Sequence, residues 1–471
     1  MLISQLLRAV DISYKGEDKD IKYITDDSRK CSKGSIFVCH KNARDYVADA
    51  FSRGAELVIS DSAVCGDCVV VSDTRKAYAL LCSAFFGDCH RALRLIGVTG
   101  TNGKTTTCYM IHRILTVAGR RCGLISTVKN DTCISETESV LTTPDCFELH
   151  RMLSEVKNSG GEFCVIEASS QGLFQQRLYG LEFEGAVFTN LTRDHLDYHG
   201  NAENYKNAKL ELFRNAFFSV INYDDGARDD FINASKGKTI TYSLRDNSAT
   251  YTAKSISCKQ QETDYAFVGD GIIHRIKLKV PGLFNVANSL SAIALCMELG
   301  ISLYGCAEGL RQFYSVRGRM EFLPLDRDFS VIIDYAHTED SLRQSLLFLR
   351  GIKKGRIITV FGCGGNRDRE KRSRMGEIVG ELSDITVVTS DNPRYEEPEK
   401  IIEDILSGMK KSKKSVYIHE NRKKAIEYAL KRAQNNDIIF LAGKGHETSQ
   451  QIGDEKLPFD EREIVREILA K

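Results

Sequence analysis

Gly97-Val98-Thr99-Gly100-Thr101-Asn102-Gly103-Lys104-Thr105-Thr106-Thr107 is the stretch whose reading decides the fold. The segment before it, Leu93-Arg94-Leu95-Ile96, is partly apolar and reads as a strand, and Cys108 to Leu115 after it carries apolar residues at helical spacing. A glycine-bearing loop between strand and helix suits phosphate binding. Glycine lets the backbone approach, and its N–H groups converge on the anion at the helix N-terminus. Lys104 would neutralise outer phosphate oxygens, and the Thr105 hydroxyl would hold Mg²⁺. The pattern G-x-x-x-x-G-K-[ST] asks for a first glycine where this chain has Val98. A ligand-free glycine-rich turn is the plain alternative, and the flanking strand and helix argue against it.

Working outward, 471 residues suggest about three domains with ample core. The 65 basic residues nearly balance 64 acidic ones, which argues against a nucleic-acid or membrane-surface partner. No apolar run reaches the length of a membrane span. The first residues, Met1 to Leu7, lack a cationic segment and a small-residue cleavage site, so a cytoplasmic protein is expected. Fifteen cysteines in such a compartment then read as free thiols rather than disulfides.

Residues 1–88 read as a small α/β unit. Asp26-Asp27-Ser28-Arg29 forms a polar loop ahead of Ser35 to Val38, and Glu56 to Ser60 and Cys68 to Val71 look like buried strands. From 89 to 320, strands and helices alternate as in a mostly parallel sheet. Cys164 to Ile166 ends on Glu167, and Ala186 to Leu191 ends near His195. Carboxyl ends of strands face the ligand crevice in open α/β sheets, which puts Glu167 and His195 near the phosphate loop. Singly, each has an ordinary explanation, a helix-cap partner or a satisfied loop histidine; together they suit Mg²⁺ ligation. Lys209 lies in an amphipathic helix, where spacing alone suggests a solvated lysine. Residues 239–280 suggest short strands, an inserted meander. Past about Val316 to Glu321 the alternation restarts and reads as a doubly wound domain, 321–471. Its strands end in Asp334-Tyr335-Ala336-His337-Thr338, Gly362 to Asp368, Asp391-Asn392-Pro393-Arg394 and Gly443-Lys444-Gly445-His446-Glu447. Four such loops would converge on one rim.

These loops, with the phosphate-loop variant, resemble the Mur ligases over nearly the whole chain. Gly100-Thr101-Asn102-Gly103-Lys104-Thr105-Thr106 matches that family's own phosphate loop, and Asn190-Leu191-Thr192-Arg193-Asp194-His195-Leu196-Asp197-Tyr198-His199-Gly200 and Asp334 to Thr338 match its specific motifs. The resemblance implies an α/β protein of three domains: a UDP-sugar-binding unit (1–88), a central P-loop ATPase with a mostly parallel sheet (89–320) and a Rossmann-like amino-acid-binding domain (321–471). It implies ATP-dependent addition of meso-diaminopimelate to UDP-N-acetylmuramoyl-L-alanyl-D-glutamate through an acyl phosphate. Ser28, His40, Lys41, Asn42, Thr142, Thr143, Ser169, Gln175 and Arg177 would hold the UDP-sugar-dipeptide. Where many relatives read Ser-Ser-His-Gly, this chain has Ser169-Ser170-Gln171-Gly172, so a histidine role there is lost. Thr105, Glu167, His195 and an N6-carboxylated Lys209 would bind Mg²⁺, because a carbamate is an anionic ligand where an ammonium is repelled. Asn288, Arg319, Asp334 and His337 would close over ATP. Arg367, Asp391, Asn392, Arg394, Gly443 and Glu447 would take diaminopimelate. The expected catalytic set is Lys104, Glu167, His195 and Lys209, in a monomer.

The arginine fork of Arg394 could bind the extra carboxylate that distinguishes diaminopimelate from lysine, with Arg367 assisting. The same ligation with lysine is the alternative within the enzyme class. A folylpolyglutamate synthetase would leave Asp391 to Arg394 unexplained. A non-catalytic nucleotide-dependent module is the alternative outside it, and Lys104, Glu167, His195 and Lys209 together argue against lost catalysis.

Overall fold

The computed structural model describes residues 1–410 and 412–470. In chain order, β1 (Tyr23–Thr25), β2 (Ser35–Cys39), β3 (Ala55–Ser60) and β4 (Cys68–Val70) form a four-stranded, all-parallel sheet. β2 is buried throughout, but β4 is not the buried strand its apolar run suggests. It is the edge strand, and Val70 is exposed. An all-apolar run of three or four residues does not distinguish a central strand from an edge strand.

The second sheet has eleven strands. They are β5 (Arg94–Thr99), β6 (Cys122–Ile125), β7 (Lys129–Asp131), β8 (Glu136–Glu138), β9 (Phe163–Glu167), β10 (Phe183–Phe188), β11 (Ala216–Asn222), β12 (Lys238–Ser243), β13 (Tyr251–Cys258), β14 (Thr263–Gly269) and β15 (Ile272–Leu278). Their order is 15-14-13-12-11-10-5-9-6-7-8. The stretch from β12 to β15 is therefore no insertion. β12 pairs in parallel with β11 and β13, and β13 to β15 extend the same sheet as an antiparallel meander.

β5 lies at the middle and is covered on both faces, as parallel strands are. Ile96 and Val98 pack with Cys108, Ile111 and Ile114 of the helix Lys104–Val117 and with the helix Leu283–Glu298. Leu95 faces the other side with Leu153 and Leu212. Gly97 is needed there, because a Cβ would lie 2.5 Å from Leu212 Cδ1 of the helix Ala202–Arg214. That close approach sets Lys209, one turn earlier, against the phosphate loop. Leu212→Ala would open the contact at a cost of about 2–5 kcal/mol.

The third sheet is β16 (Glu321–Phe322), β17 (Ser330–Asp334), β18 (Ile357–Phe361), β19 (Ile385–Val388), β20 (Ser415–Ile418) and β21 (Ile438–Ala442), in the order 16-17-21-18-19-20. All pairings are parallel except β16 with β17. The hairpin β22 (Ser449–Ile452) and β23 (Glu455–Pro458) follows β21.

Candidate active site

The phosphate loop is held from below by Asn190. Its carbonyl accepts from the Thr101 N–H (2.8 Å), and its Oδ1 accepts from the Asn102 N–H (2.9 Å). Gly103 turns into the helix at φ +84, with Asn288 Oδ1 only 2.4 Å from where a Cβ would stand. The first helical bond runs from the Thr107 N–H to the Gly103 carbonyl, so the N–H groups of Gly103 to Thr106 have no intrahelical acceptor. They form the anion cradle expected at a helix start.

Behind the cradle lies a polar cluster. Thr105 Oγ1 donates to Glu167 Oε1 at 3.0 Å. Glu167 Oε2 accepts from Ser126 Oγ (2.6 Å) and the Thr127 N–H (3.0 Å). Lys104 Nζ donates to the carbonyls of Gly100 and Thr101. Lys209 is not solvated: it is 1 % exposed, donates to the Gly100 carbonyl at 2.6 Å and lies over the Tyr205 ring. Burial, then the charge of Lys104, holds its ammonium well below the ordinary lysine range. His195 adopts a left-handed backbone (φ 53) beside Asp194, and burial lowers its imidazole to about 4.

The third sheet closes over this loop. Arg319 donates to Thr105 Oγ1 at 3.0 Å and stacks on Tyr335, and Asn102 Nδ2 donates to Asp340 Oδ2 at 3.0 Å. Asp334, raised by burial, accepts from Ser345 Oγ and the Met320 N–H. His337 is lowered to about 4 by burial. A cleft of about 1190 Å³ joins the cradle to all four loops of the third sheet, through Tyr335 and His337, Arg367, Asn392 and Arg394, and His446 and Glu447. Arg394 sits at φ +52 and donates to the Gly365 carbonyl. Burial, then neighbouring Arg367, disfavours its charge, which suits an anion binding between them.

Two family models match this arrangement, the Mur ligase middle domain over residues 98–296 and the Mur ligase glutamate ligase domain over 318–445. The chain belongs to the Mur ligase family. It is 42 % identical over 484 residues to the UDP-N-acetylmuramoyl-L-alanyl-D-glutamate--2,6-diaminopimelate ligase of Caldanaerobacter subterraneus, covering 100 % of this chain and 99 % of that one. It is 39 % identical to the Clostridium botulinum ligase of the same name, covering 100 % of both chains. A solved structure of a ligase with that name superposes with a TM-score of 0.71 at 31 % identity, covering 100 % of this chain and 99 % of that one. No helix among the described residues is long and apolar enough to cross a membrane.

Within this Mur ligase, Thr142, Thr143, Ser169 and Arg177 line the cleft. Thr143 Oγ1 donates to the Glu167 carbonyl, and Gln175 lies outside the lining, bonded to Arg177. Ser28, His40, Lys41 and Asn42 also lie outside it. Ser28 donates to Asp49, His40 contacts Thr74 and Asp26, and Lys41 and Asn42 are exposed. Asp391 and Gly443 stand behind the rim. The residue directly after Ser170 is Gln171 and not a histidine, yet His199 Nε2 lies 3.0 Å from the Ser170 hydroxyl. Asn190 and Tyr335 stand in the quoted motifs without an assigned role, and Asp340 stands in none; their contacts to the phosphate loop and Arg319 are long-range. Among the described residues no group of three or more His, Cys, Asp and Glu is placed to hold a metal. A divalent ion here would depend on the Thr105 hydroxyl and a modified Lys209 besides Glu167 and His195.

Proposed function

We propose that the chain is an ATP-dependent ligase that adds meso-2,6-diaminopimelate to UDP-N-acetylmuramoyl-L-alanyl-D-glutamate, in the assembly of peptidoglycan precursors. Its full-length relatives carry that activity in their names. The observation that carries the reading is the bond from Arg319 to Thr105. It draws the sheet that carries the arginine rim up to the phosphate cradle, so that both line one cleft, which is what coupling two substrates requires.

A carboxylate is a poor electrophile, since it is anionic and has no leaving group. Transfer of the γ-phosphoryl group of ATP to the D-glutamyl carboxylate makes an acyl phosphate, the amine attacks its carbonyl carbon, and phosphate leaves. Lys104 and the N–H groups of Gly103 to Thr106 offset the charge on the transferring group. Thr105 and Glu167 offer the hard oxygen donors that Mg²⁺ takes, and they already meet at 3.0 Å. His195 and N6-carboxylated Lys209 would complete the set, and the ion would supply charge neutralisation at the phosphates. Asn288, Arg319, Asp334 and His337 would close over the nucleotide. Thr142, Thr143, Ser169, Gln175 and Arg177 would hold the dipeptide, and Ser28 with His40 to Asn42 the UDP end. Arg394, assisted by Arg367, would take the distal carboxylate of diaminopimelate, and Glu447, with Asp391, Asn392 and Gly443 behind it, the distal ammonium. The division into 1–88, 89–320 and 321–471, the monomeric state and a cytoplasmic site of action belong to the same reading.

The test is phosphate release. It should require ATP, the UDP-dipeptide and diaminopimelate together. Release with ATP alone would favour a nucleotide-dependent module, and equal use of lysine would favour the lysine-adding ligase.

A further inference from the structure

Lys444 is fully buried and does not line the cleft. An ammonium has three protons to donate, and here each has an acceptor: Asn392 Oδ1 at 2.9 Å, Glu447 Oε2 at 3.0 Å and the Ser449 carbonyl at 2.9 Å. Asp391 Oδ1, otherwise without a partner, lies 3.4 Å away. One cation thus ties the loop after β19 to the loop after β21.

The consequence falls on two side chains that do reach the cleft. Asn392 Oδ1 also accepts from the Gln451 N–H, so its oxygen is turned to Lys444 and its Nδ2 must point the other way. That Nδ2 donates to Glu447 Oε2 at 2.9 Å. Glu447 Oε2 is therefore saturated by two donors, and Oε1 is the oxygen left for a ligand. Removing the Lys444 charge would take away the cation 3.4 Å from Asp391 and 3.0 Å from Glu447, and with it one of the two donors that hold Glu447 Oε2, so Glu447 would be free to turn.

We propose that Lys444 is a positioning residue that lets the acceptor pocket read the distal ammonium of its substrate, by holding Glu447 with one oxygen free. The proposal rests on the diaminopimelate reading above. It predicts a specific loss. Diaminopimelate and 2-aminopimelate both carry two carboxylates and differ only in the distal amine. Lys444→Met should lower the preference for diaminopimelate over 2-aminopimelate, measured as the ratio of kcat/KM values, by about tenfold or more, mostly through KM. The KM for ATP should stay within about twofold of wild type. Lys444→Arg, which keeps the charge, should recover part of the preference.

A merely structural role would lower both acceptors together and leave the ratio unchanged, and that result would overturn the proposal. Should Lys444→Met not fold, Lys444→Arg carries the test. Its planar fork cannot reproduce three converging point contacts, so a wild-type ratio in that variant would overturn the proposal as well. Failure of the wild-type enzyme to use diaminopimelate would instead sink the functional reading, and the two failures are distinguishable.

Discussion

Lys104 and Lys209, on different helices, both donate to the carbonyl of Gly100, at 3.2 and 2.6 Å. Burial strips both ammonium groups of water, and on one oxygen they also repel. The outcome is a Lys209 whose charge is strongly disfavoured. An uncharged amine in that position is a nucleophile toward CO₂, and the carbamate it forms would be attracted by Lys104 rather than repelled.

This predicts a CO₂-dependent enzyme. Assays in degassed, bicarbonate-free buffer should lose activity and regain it when bicarbonate is added. Labelled bicarbonate should give a carbamate carbon resonance in wild-type protein and none in Lys209→Met. Full activity without CO₂ would remove carboxylation from the account.

The same lysine shows what the sequence could and could not say. Tyr205, Ala208, Lys209 and Leu212 fall on one helical stripe, and all four are buried. Lys209 occupies an apolar position, a signal that charge type alone obscures. The phosphate loop and the four rim loops were legible because each follows locally from a strand end in a parallel sheet. Arg319 with Thr105 and Asn102 with Asp340 were not, since 214 and 238 residues separate the partners and no local pattern encodes such a pairing. Residues 239–280 read locally as an inserted meander, and that β13 to β15 extend the central sheet is hidden from the sequence for a related reason. Its strands alternate correctly, but which edge they join is decided by β11 and β12.

Arg319, together with Asp340, brings the third sheet to the cradle. A hydrogen bond from a charged donor contributes about 1.5–3 kcal/mol, so Arg319→Ala should lower kcat by about 10- to 150-fold. The KM for diaminopimelate should change little, because Arg319 contacts Thr105 and Tyr335 and not the arginine rim. Steady-state kinetics in both substrates decide this. A loss confined to the acceptor KM would contradict the assignment.

Stability should fall on acidification, and His150 supplies part of the reason. It is 1 % exposed, its Nε2 has no partner, and burial, reinforced by His90, lowers its imidazole from 6.5 to about 3. Above pH 6.5 neither the folded nor the unfolded chain protonates this group, and it is silent. Below 6.5 the unfolded chain takes a proton that the folded chain refuses until about 3, so stability declines as pH falls through that window. At pH 5 the loss from this residue is about 2 kcal/mol. Urea unfolding at pH 7.5 and pH 5 should show His150→Leu losing about that much less than wild type. Equal losses in the two proteins would place the acid sensitivity elsewhere.

On the proposed function, Arg394 should decide which amine is accepted. Its strained backbone, at φ +52, is held where the Arg394 N–H meets the Gln451 carbonyl and the Gly453 N–H meets the Arg394 carbonyl, so the guanidinium reaches the cleft beside Arg367. Two arginines disfavour each other until an anion sits between them, and the distal carboxylate of diaminopimelate is such an anion. Lysine brings no such carboxylate, and a site built for a missing polar group rejects the analogue by about 10⁴-fold. Arg394→Ala should therefore lower kcat/KM for diaminopimelate by about two to three orders of magnitude. It should leave the KM for ATP near wild type and narrow the gap between diaminopimelate and lysine. The measurement is a competition assay with both acceptors present and the two products resolved by mass. Parallel loss of ATP and acceptor binding would mean that Arg394 supports the fold rather than selects the substrate.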